Sequence, residues 1–275
     1  MPKIALLQMT SGIDPEANAR TICDAAATAK GQGAEMLFTP EMAGLLDKQR
    51  SRAADSIVPE SESVLVKAVA QAAADVGIWI VLGLPVARAD SRWANRMIVF
   101  DQNGNVAARY DKIHMFDVDL ANGEKWHESS AYAPGDEVVT CADTPIGRLG
   151  LSICYDLRFP ALFEELGCQT CDCIAIPAAF TVPTGKAHWH VLQRARAIEA
   201  SAFVIAAAQV GEHEDGRRTY GHSLVVDPWG EVLLDMGGEE AGLGCCEIDL
   251  GRIAEVRNQL PSLANKRDIS TSRSS

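Results

Sequence analysis

The stretch Gly150-Leu-Ser-Ile-Cys154-Tyr-Asp-Leu-Arg-Phe-Pro160 decides how the chain is read. It opens as an apolar run, Leu149 to Ile153, preceded by the turn residues Pro145-Ile-Gly147. A short apolar run bounded by a turn is the pattern of a buried strand. The run stops at Cys154, and polar and charged residues follow it up to Pro160. Ligands collect outside the carboxyl ends of strands in open α/β sheets, so this cysteine is placed for chemistry. Taken alone it also fits the commoner role of free cysteine, a small buried hydrophobe.

Two other stretches change the balance. Met36-Leu-Phe-Thr-Pro40-Glu41 is an apolar strand that ends at a carboxylate, and Tyr110-Asp-Lys112-Ile-His-Met-Phe116 puts an ammonium after the strand around Val106. Each residue alone has an ordinary reading: a solvated acid, a surface lysine, a core thiol. Together they describe one site at one sheet edge. A thiol becomes a nucleophile when a base takes its proton or a cation stabilises the thiolate. Glu41 suits the first task. Lys112 suits the second, and can then hold the oxyanion of a tetrahedral intermediate.

Outward from these residues, strands alternate with helices. Lys3 to Met9, Ala34 to Thr39 and Ile78 to Gly83 read as strands. Residues 14–30 read as a helix with Asp14 as N-cap and Pro15 in the first turn, and residues 61–76 as an amphipathic helix. Asn95 to Phe100 and Asn105 to Tyr110 flank Asp-Gln-Asn-Gly, a hairpin signal. Residues 113–137 show little periodicity, and a connection that long without structure is usually functional. Beyond Cys154, residues 160–167 and 186–201 read as helices, Cys173 to Pro177 and Val204 to Ala208 as strands. Ala178-Ala-Phe-Thr-Val-Pro-Thr184 then falls at the same sheet edge, which brings Phe180 and Thr181 towards the site. A hairpin over 222–235 turns at Asp227-Pro-Trp-Gly230, and a strand near 243–248 leads to a helix at 249–259. This order means layered α/β.

The Glu41, Lys112 and Cys154 set resembles the Glu-Lys-Cys signature of the nitrilase superfamily of carbon–nitrogen hydrolases. The segments KIHMFDVDL at 112–120, GLSICYDLRFP at 150–160, PTGKAHWHVLQRARAIE at 183–199 and YGHSLVVDPWGEVL at 220–233 resemble its Nit branch. Similarity runs from Ile4 to about Ile269. The resemblance implies a four-layer α-β-β-α sandwich in one domain over 1–269, with a polar tail at 270–275. It implies pairing of protomers through helices, with 158–166 and 186–201 as candidate contacts and a homodimer or higher homo-oligomer as the outcome. It implies a thioester mechanism with no metal and no organic cofactor. Tyr155 would lend its backbone N–H to the oxyanion, and Glu128 would hydrogen-bond Lys112 or the substrate. The Nit branch acts on linear amides of dicarboxylic α-keto acids. The expected substrate is deaminated glutathione, with the ω-amidase substrates α-ketoglutaramate and α-ketosuccinamate as the alternative. Either acyl group carries a carboxylate, and Arg158, four residues past the cysteine, is the candidate cation. Phe116, Met42 and Trp126 are candidate pocket residues.

Composition sets the outer limits. The 275 residues are 47% hydrophobic and 23% charged, ordinary for a globular protein. A formal net charge of -12 argues against nucleic acid, which demands a basic patch. It also means that an anionic substrate needs a local cation. No apolar run is long enough to span a bilayer, and Met1-Pro-Lys-Ile enters a strand at once, so no signal peptide is read. Eight cysteines without such a signal are expected to stay reduced in a cytoplasmic chain. Cys168, Cys171 and Cys173 lie close together, but structural zinc prefers four ligands in spaced pairs, so packing is favoured. His188 and His190, two apart on a helix, face different ways and do not make a metal pair; His222 reads as a turn residue. Two competing classes remain: a Cys–His protease, for which no papain-like surround is present, and a non-catalytic binding or scaffolding relative.

Overall fold

The computed structural model describes residues 1–120, 123 and 125–267. The expected tail at 270–275, and the last two residues of the expected 1–269 domain, lie outside the described residues. The strands are β1 (Lys3–Gln8), β2 (Met36–Phe38), β3 (Trp79–Ala87), β4 (Trp93–Phe100), β5 (Val106–Asp111), β6 (Asp117–Asp119), β7 (Lys125–His127) and β8 (Thr140–Thr144). They continue with β9 (Gly147–Leu151), β10 (Cys173–Ala175), β11 (Phe203–Ala206), β12 (Val210–Glu212), β13 (Arg218–Tyr220), β14 (Leu224–Val226), β15 (Val232–Asp235) and β16 (Gly242–Glu247). The helices are α1 (Pro15–Gly31), α2 (Arg50–Ala53), α3 (Val64–Val76), α4 (Pro160–Cys168), α5 (Val182–Ala200) and α6 (Gly251–Gln259), with 3-10 turns at Glu128–Ser130 and Cys154–Arg158.

Local chemistry sets the helix limits. Asp14 caps α1 by accepting the Glu16 N–H at 2.9 Å, with Pro15 in the first turn. Ser63 caps α3 through the Val66 N–H, and Gly77 ends that helix in the left-handed conformation. Between β4 and β5 the expected hairpin forms: the Asp101 carboxylate accepts the N–H groups of Asn103 and Asn105 at 2.8 Å.

Two six-stranded sheets carry the fold, ordered β16-β1-β2-β3-β4-β5 and β15-β14-β11-β10-β9-β8. In each, three strands run parallel, β1-β2-β3 and β9-β10-β11, with antiparallel strands on both sides. Period-2 alternation sorts each strand between two cores. On β1, Ile4 and Leu6 enter the core shared with the second sheet, while Ala5 and Leu7 pack towards α1 and α3. The adjacent Cys245 and Cys246 split the same way, one to each core. Helices α4 and α5 cover the far face of the second sheet through Leu162, Phe163, Leu166, Trp189 and Ala197. The layers therefore run helix, sheet, sheet, helix, an α/β sandwich as expected. Cys171 and Cys173 are fully buried in the core, whereas Cys168 is exposed at the end of α4.

The expectation of an unstructured 113–137 is corrected. That stretch contains the β6–β7 hairpin and the 3-10 turn at Glu128. Its strands are three residues long and alternate between exposed and half-buried, so no apolar period marks them.

The sheet edge that carries Glu41 is packed against backbone. A Cβ on Gly83 of β3 would lie 2.3 Å from the Pro40 carbonyl oxygen and 3.1 Å from the Glu41 Cα. Gly83→Ala should therefore overpack this crossing by about 1–3 kcal/mol and displace Glu41. Both the melting temperature and kcat are expected to fall; an unchanged kcat would show that Glu41 tolerates the shift.

Candidate active site

Each predicted residue sits just past a strand whose carboxyl end faces the same side. Glu41 follows β2, Lys112 follows β5, Cys154 follows β9, and residues 178–181 follow β10. Glu41, Lys112 and Cys154 are 5%, 2% and 8% exposed. The Lys112 Nζ donates to Glu41 Oε1 at 2.9 Å and to Glu128 Oε2 at 2.9 Å and Oε1 at 3.2 Å. Glu128 thus pairs with Lys112, one of the two contacts expected of it. Its other anchor is the Phe116 N–H at 2.7 Å. The Glu41 Oε2 accepts the Ala179 N–H at 2.8 Å, and the Cys154 thiol hydrogen-bonds the same carboxylate. Backbone holds Cys154: its N–H donates to the Pro177 carbonyl at 3.0 Å, and it has φ +47°, a conformation rare for a residue with a Cβ.

The charge states follow from this packing. Burial alone would raise the Glu41 carboxyl, but the Lys112 ammonium and hydrogen bonds from Cys154, Lys112 and Asn95 hold it below its ordinary value. Burial would lower the Lys112 ammonium, yet the Glu128 and Glu41 carboxylates keep it well above its usual range. Burial and the neighbouring Glu41 charge push the Cys154 thiol well above its usual range, against the opposing pull of Lys112. The resting arrangement is an ionised carboxylate, an ammonium and a neutral thiol.

A cavity of about 680 Å³ opens onto these groups. Phe116, Tyr155, Phe180 and Thr181 line it, and so do Met42 and Trp126. Arg158 does not, which corrects the expectation for it. Its guanidinium lies 5.4 Å from the Phe180 ring centroid and 5.8 Å from that of Tyr155, with Nη1 3.3 Å from His188 Nδ1. It backs the wall of the cavity and does not line it. The lining cations besides Lys112 are Lys48, Arg50, Lys186, Arg217 and Arg218. Arg217 is held by Asp215 at 2.8 Å and lies over the Trp126 ring at 5.2 Å.

Sequence reasoning missed two polar residues that organise the site. Asn95 on β4 donates to Glu41 Oε1 at 2.7 Å and Glu128 Oε1 at 3.0 Å, so one amide spans both carboxylates. Asp156 is fully buried two residues past the cysteine. Its carboxylate accepts the Tyr110 hydroxyl at 2.7 Å, the Ile153 N–H at 2.9 Å and the His114 N–H at 3.0 Å, and lies 2.7 Å from His114 Nδ1. It ties the turn of Cys154 to the segment on both sides of Lys112. An aspartate inside the turn that begins at Cys154 was a signal that could have been followed.

The model of the family described as carbon-nitrogen hydrolase matches residues 3–258. The chain belongs to the carbon-nitrogen hydrolase family. It is a hydrolase of carbon–nitrogen bonds other than peptide bonds, which sets aside the scaffold and protease readings. The chain is 39% identical over 272 residues to the deaminated glutathione amidase of Yersinia enterocolitica, spanning 98% of this chain and 94% of that one. Among solved structures, it resembles the NitFhit protein of C. elegans with a TM-score of 0.89 and 35% identity, covering 97% of this chain and 65% of that one. It also resembles an amidase variant from Nesterenkonia sp. AN1, captured with acrylamide added to its active-site cysteine. There the TM-score is 0.79 and the identity 27%, over 95% of this chain and 98% of that one.

Asp156→Asn keeps the shape but turns an NH₂ towards groups that donate. Buried donors without acceptors cost about 1–3 kcal/mol each, so the variant should lose several degrees of melting temperature and most of its kcat. Tyr110→Phe removes a single partner and should be milder on both counts. Equal losses in the two variants would refute the role given to the carboxylate.

Proposed function

We propose that the chain is a cysteine amidase in which Cys154 is the nucleophile, Glu41 the general base and Lys112 the oxyanion cation. The observation that carries this reading is the buried Cys154 thiol beside a buried Glu41 carboxylate that accepts the Lys112 ammonium at 2.9 Å and the Ala179 N–H at 2.8 Å. When an amide carbonyl docks, the sulfur attacks carbon and the thiol proton passes to Glu41. Negative charge appears on the carbonyl oxygen as it disappears from Glu41. The buried group of charges keeps its total, so the step needs no new charge in a dry site. Lys112 and the Tyr155 N–H, at the start of its 3-10 turn where backbone donors lack helical acceptors, receive the oxyanion. Glu41 returns the proton to the leaving amine, and the acyl group remains as a thioester. Glu41 then draws a proton from water, the hydroxide adds to the thioester carbonyl, the carbon–sulfur bond breaks to release the acid, and the proton returns from Glu41 to the Cys154 sulfur. Glu128 and Asn95 fix the Lys112 ammonium throughout.

For the substrate we infer deaminated glutathione, the amide of α-ketoglutarate with cysteinylglycine. The relative from Yersinia enterocolitica carries that name. The cavity supports it: about 680 Å³ lies within the range that encloses a drug-sized ligand. This amide has a carboxylate at each end. Arg217, anchored by Asp215 and stacked on Trp126, is a preorganised partner for one of them. The eight free cysteines suit a reducing, cytoplasmic setting, and among the described residues no helix is long and apolar enough to cross a membrane.

We further propose that the one-domain chain forms a homodimer through α5. Val191 and Ile198 of α5 are 68% and 42% exposed, and Trp229, Val232 and Leu233 are exposed too. The apolar residues of α4, by contrast, are spent inside the protomer. Val191→Glu should shift the sedimentation coefficient towards that of a monomer; an unchanged value would remove this helix from the contact.

The deciding experiment compares kcat/KM on deaminated glutathione and α-ketoglutaramate. The wild-type chain should prefer deaminated glutathione, and Cys154→Ala should be inert while folded. Lys112→Met should lose about 10²–10³ in kcat, the usual effect of removing an oxyanion donor. Arg217→Ala should raise KM for deaminated glutathione by about 10–100-fold, as expected for a lost charged hydrogen bond. A preference for α-ketoglutaramate reassigns the substrate, and activity in Cys154→Ala overturns the mechanism.

A further inference from the structure

His190, His222 and Asp235 come from three separate segments, and their ligand atoms lie within 4.8 Å of one another. His190 is on α5, His222 precedes β14, and Asp235 ends β15. The Asp235 Oδ2 is 3.0 Å from His190 Nε2, and the Oδ1 is 2.9 Å from His222 Nδ1. The two rings stand nearly perpendicular, 77° apart with centroids at 4.9 Å. None of the three residues lines the cavity around Cys154. Sequence spacing set His188 and His190 on different sides of the helix, and in the structure His188 meets Arg158 while His190 meets Asp235. The fold instead supplies partners for His190 from across the sheet edge.

We propose that these three side chains form a binding site for a divalent first-row metal ion of the zinc type. Two imidazoles and a carboxylate suit such an ion, and three protein ligands leave a position for water. At metal–ligand bonds of about 2.0–2.1 Å, neighbouring donor atoms of a tetrahedral site sit about 3.3 Å apart. The single oxygen Asp235 Oδ2 lies 3.0 Å from His190 Nε2 and 3.2 Å from His222 Nδ1, close to that spacing, and all three ligand atoms lie within 4.8 Å, so a small inward shift of the rings completes the site. On binding, the proton on each ligating ring nitrogen moves to the other nitrogen of the same ring, so that both imidazoles bind as neutral donors.

The frame around the donors is preorganised. His222 has φ +56° and is locked on both sides: its N–H donates to the Gly237 carbonyl at 2.7 Å, and its carbonyl accepts the Trp189 indole N–H at 2.8 Å. The Tyr220 ring stacks on it, with centroids 4.4 Å apart. Room for its ring requires glycine at 238, where a Cβ would lie 2.9 Å from the His222 Nε2. Asp235 is oriented by the Gly237 N–H at 2.9 Å, the kind of outer hydrogen bond that supports metal ligands. All three side chains are 24–34% exposed, so an ion can enter. A bound ion would staple α5 to the end of β15.

The test uses the purified full chain and its His190→Ala, His190→Gln, His222→Ala and Asp235→Asn variants. Zinc chloride is titrated by calorimetry, and cobalt(II) serves as the spectroscopic probe. One equivalent of zinc should bind the wild-type chain and raise its melting temperature. Affinity should fall by roughly 100-fold or more when a ligand is lost, at least the loss seen for outer-shell partners. His190→Gln keeps a hydrogen-bonding group beside Asp235, so it separates lost ligation from a disturbed fold. Cobalt should give weak visible bands from nitrogen and oxygen ligands. Intense near-ultraviolet thiolate bands would mean that cysteines hold the metal, which overturns the proposal. Unchanged binding in the variants, or no saturable binding by the wild-type chain, overturns it as well.

Discussion

A lysine ammonium buried between two carboxylates is the constraint on which the site depends. The Lys112 side chain is 2% exposed, and those of Glu41 and Glu128 are 6% and 12% exposed. Burying three charges is costly unless their remaining hydrogen-bonding capacity is met. Here it is met by fixed groups: the Asn95 amide, the Phe116 N–H and the Ala179 N–H. Those groups come from β4, from the segment before β6 and from the loop after β10. The charges can therefore survive only when the two sheets are stacked in this register. Local chemistry and global fold impose each other.

The same constraint explains the resting state of the nucleophile. One ammonium against two carboxylates leaves an excess negative charge beside the Cys154 sulfur. A thiolate there would add another in a dry site, so the thiol keeps its proton. In the mechanism we propose, the thiol becomes reactive when a carbonyl is present to accept the charge that leaves Glu41. In that mechanism the lysine serves as a partner of the developing oxyanion, not as a device for making a resting thiolate.

How much of this was legible in the sequence depended on periodicity. Glu41, Lys112 and Cys154 each end an apolar run, so pattern alone put them at strand ends, and the similarity to a known family joined them. Asn95 was not legible, because it lies inside an alternating strand where a polar residue reads as an outward one. Its side chain points inward because two carboxylates from other elements wait there. The β6–β7 and β12–β13 ribbons escaped notice because short ribbons bury too little for a hydrophobic period. Arg158 was misplaced for a geometric reason. Four residues along a tight 3-10 turn carry a side chain around to the helix side of the sheet edge, where His188 and Phe180 meet it. Proximity in sequence to a nucleophile is not proximity in space.

Asp156 shows why the cysteine and lysine can be reset by neither loop alone. The turn that carries Cys154 departs from favoured backbone geometry, and nothing in a free pentapeptide would hold it there. The buried carboxylate supplies the missing restraint, since it accepts from Ile153 behind the cysteine and from His114 beyond the lysine. Tyr110, two residues before Lys112, closes the loop with its hydroxyl. Displacement of either segment would strand donors in a dry interior. The sulfur and the ammonium are held in one frame by a residue that hydrogen-bonds to neither.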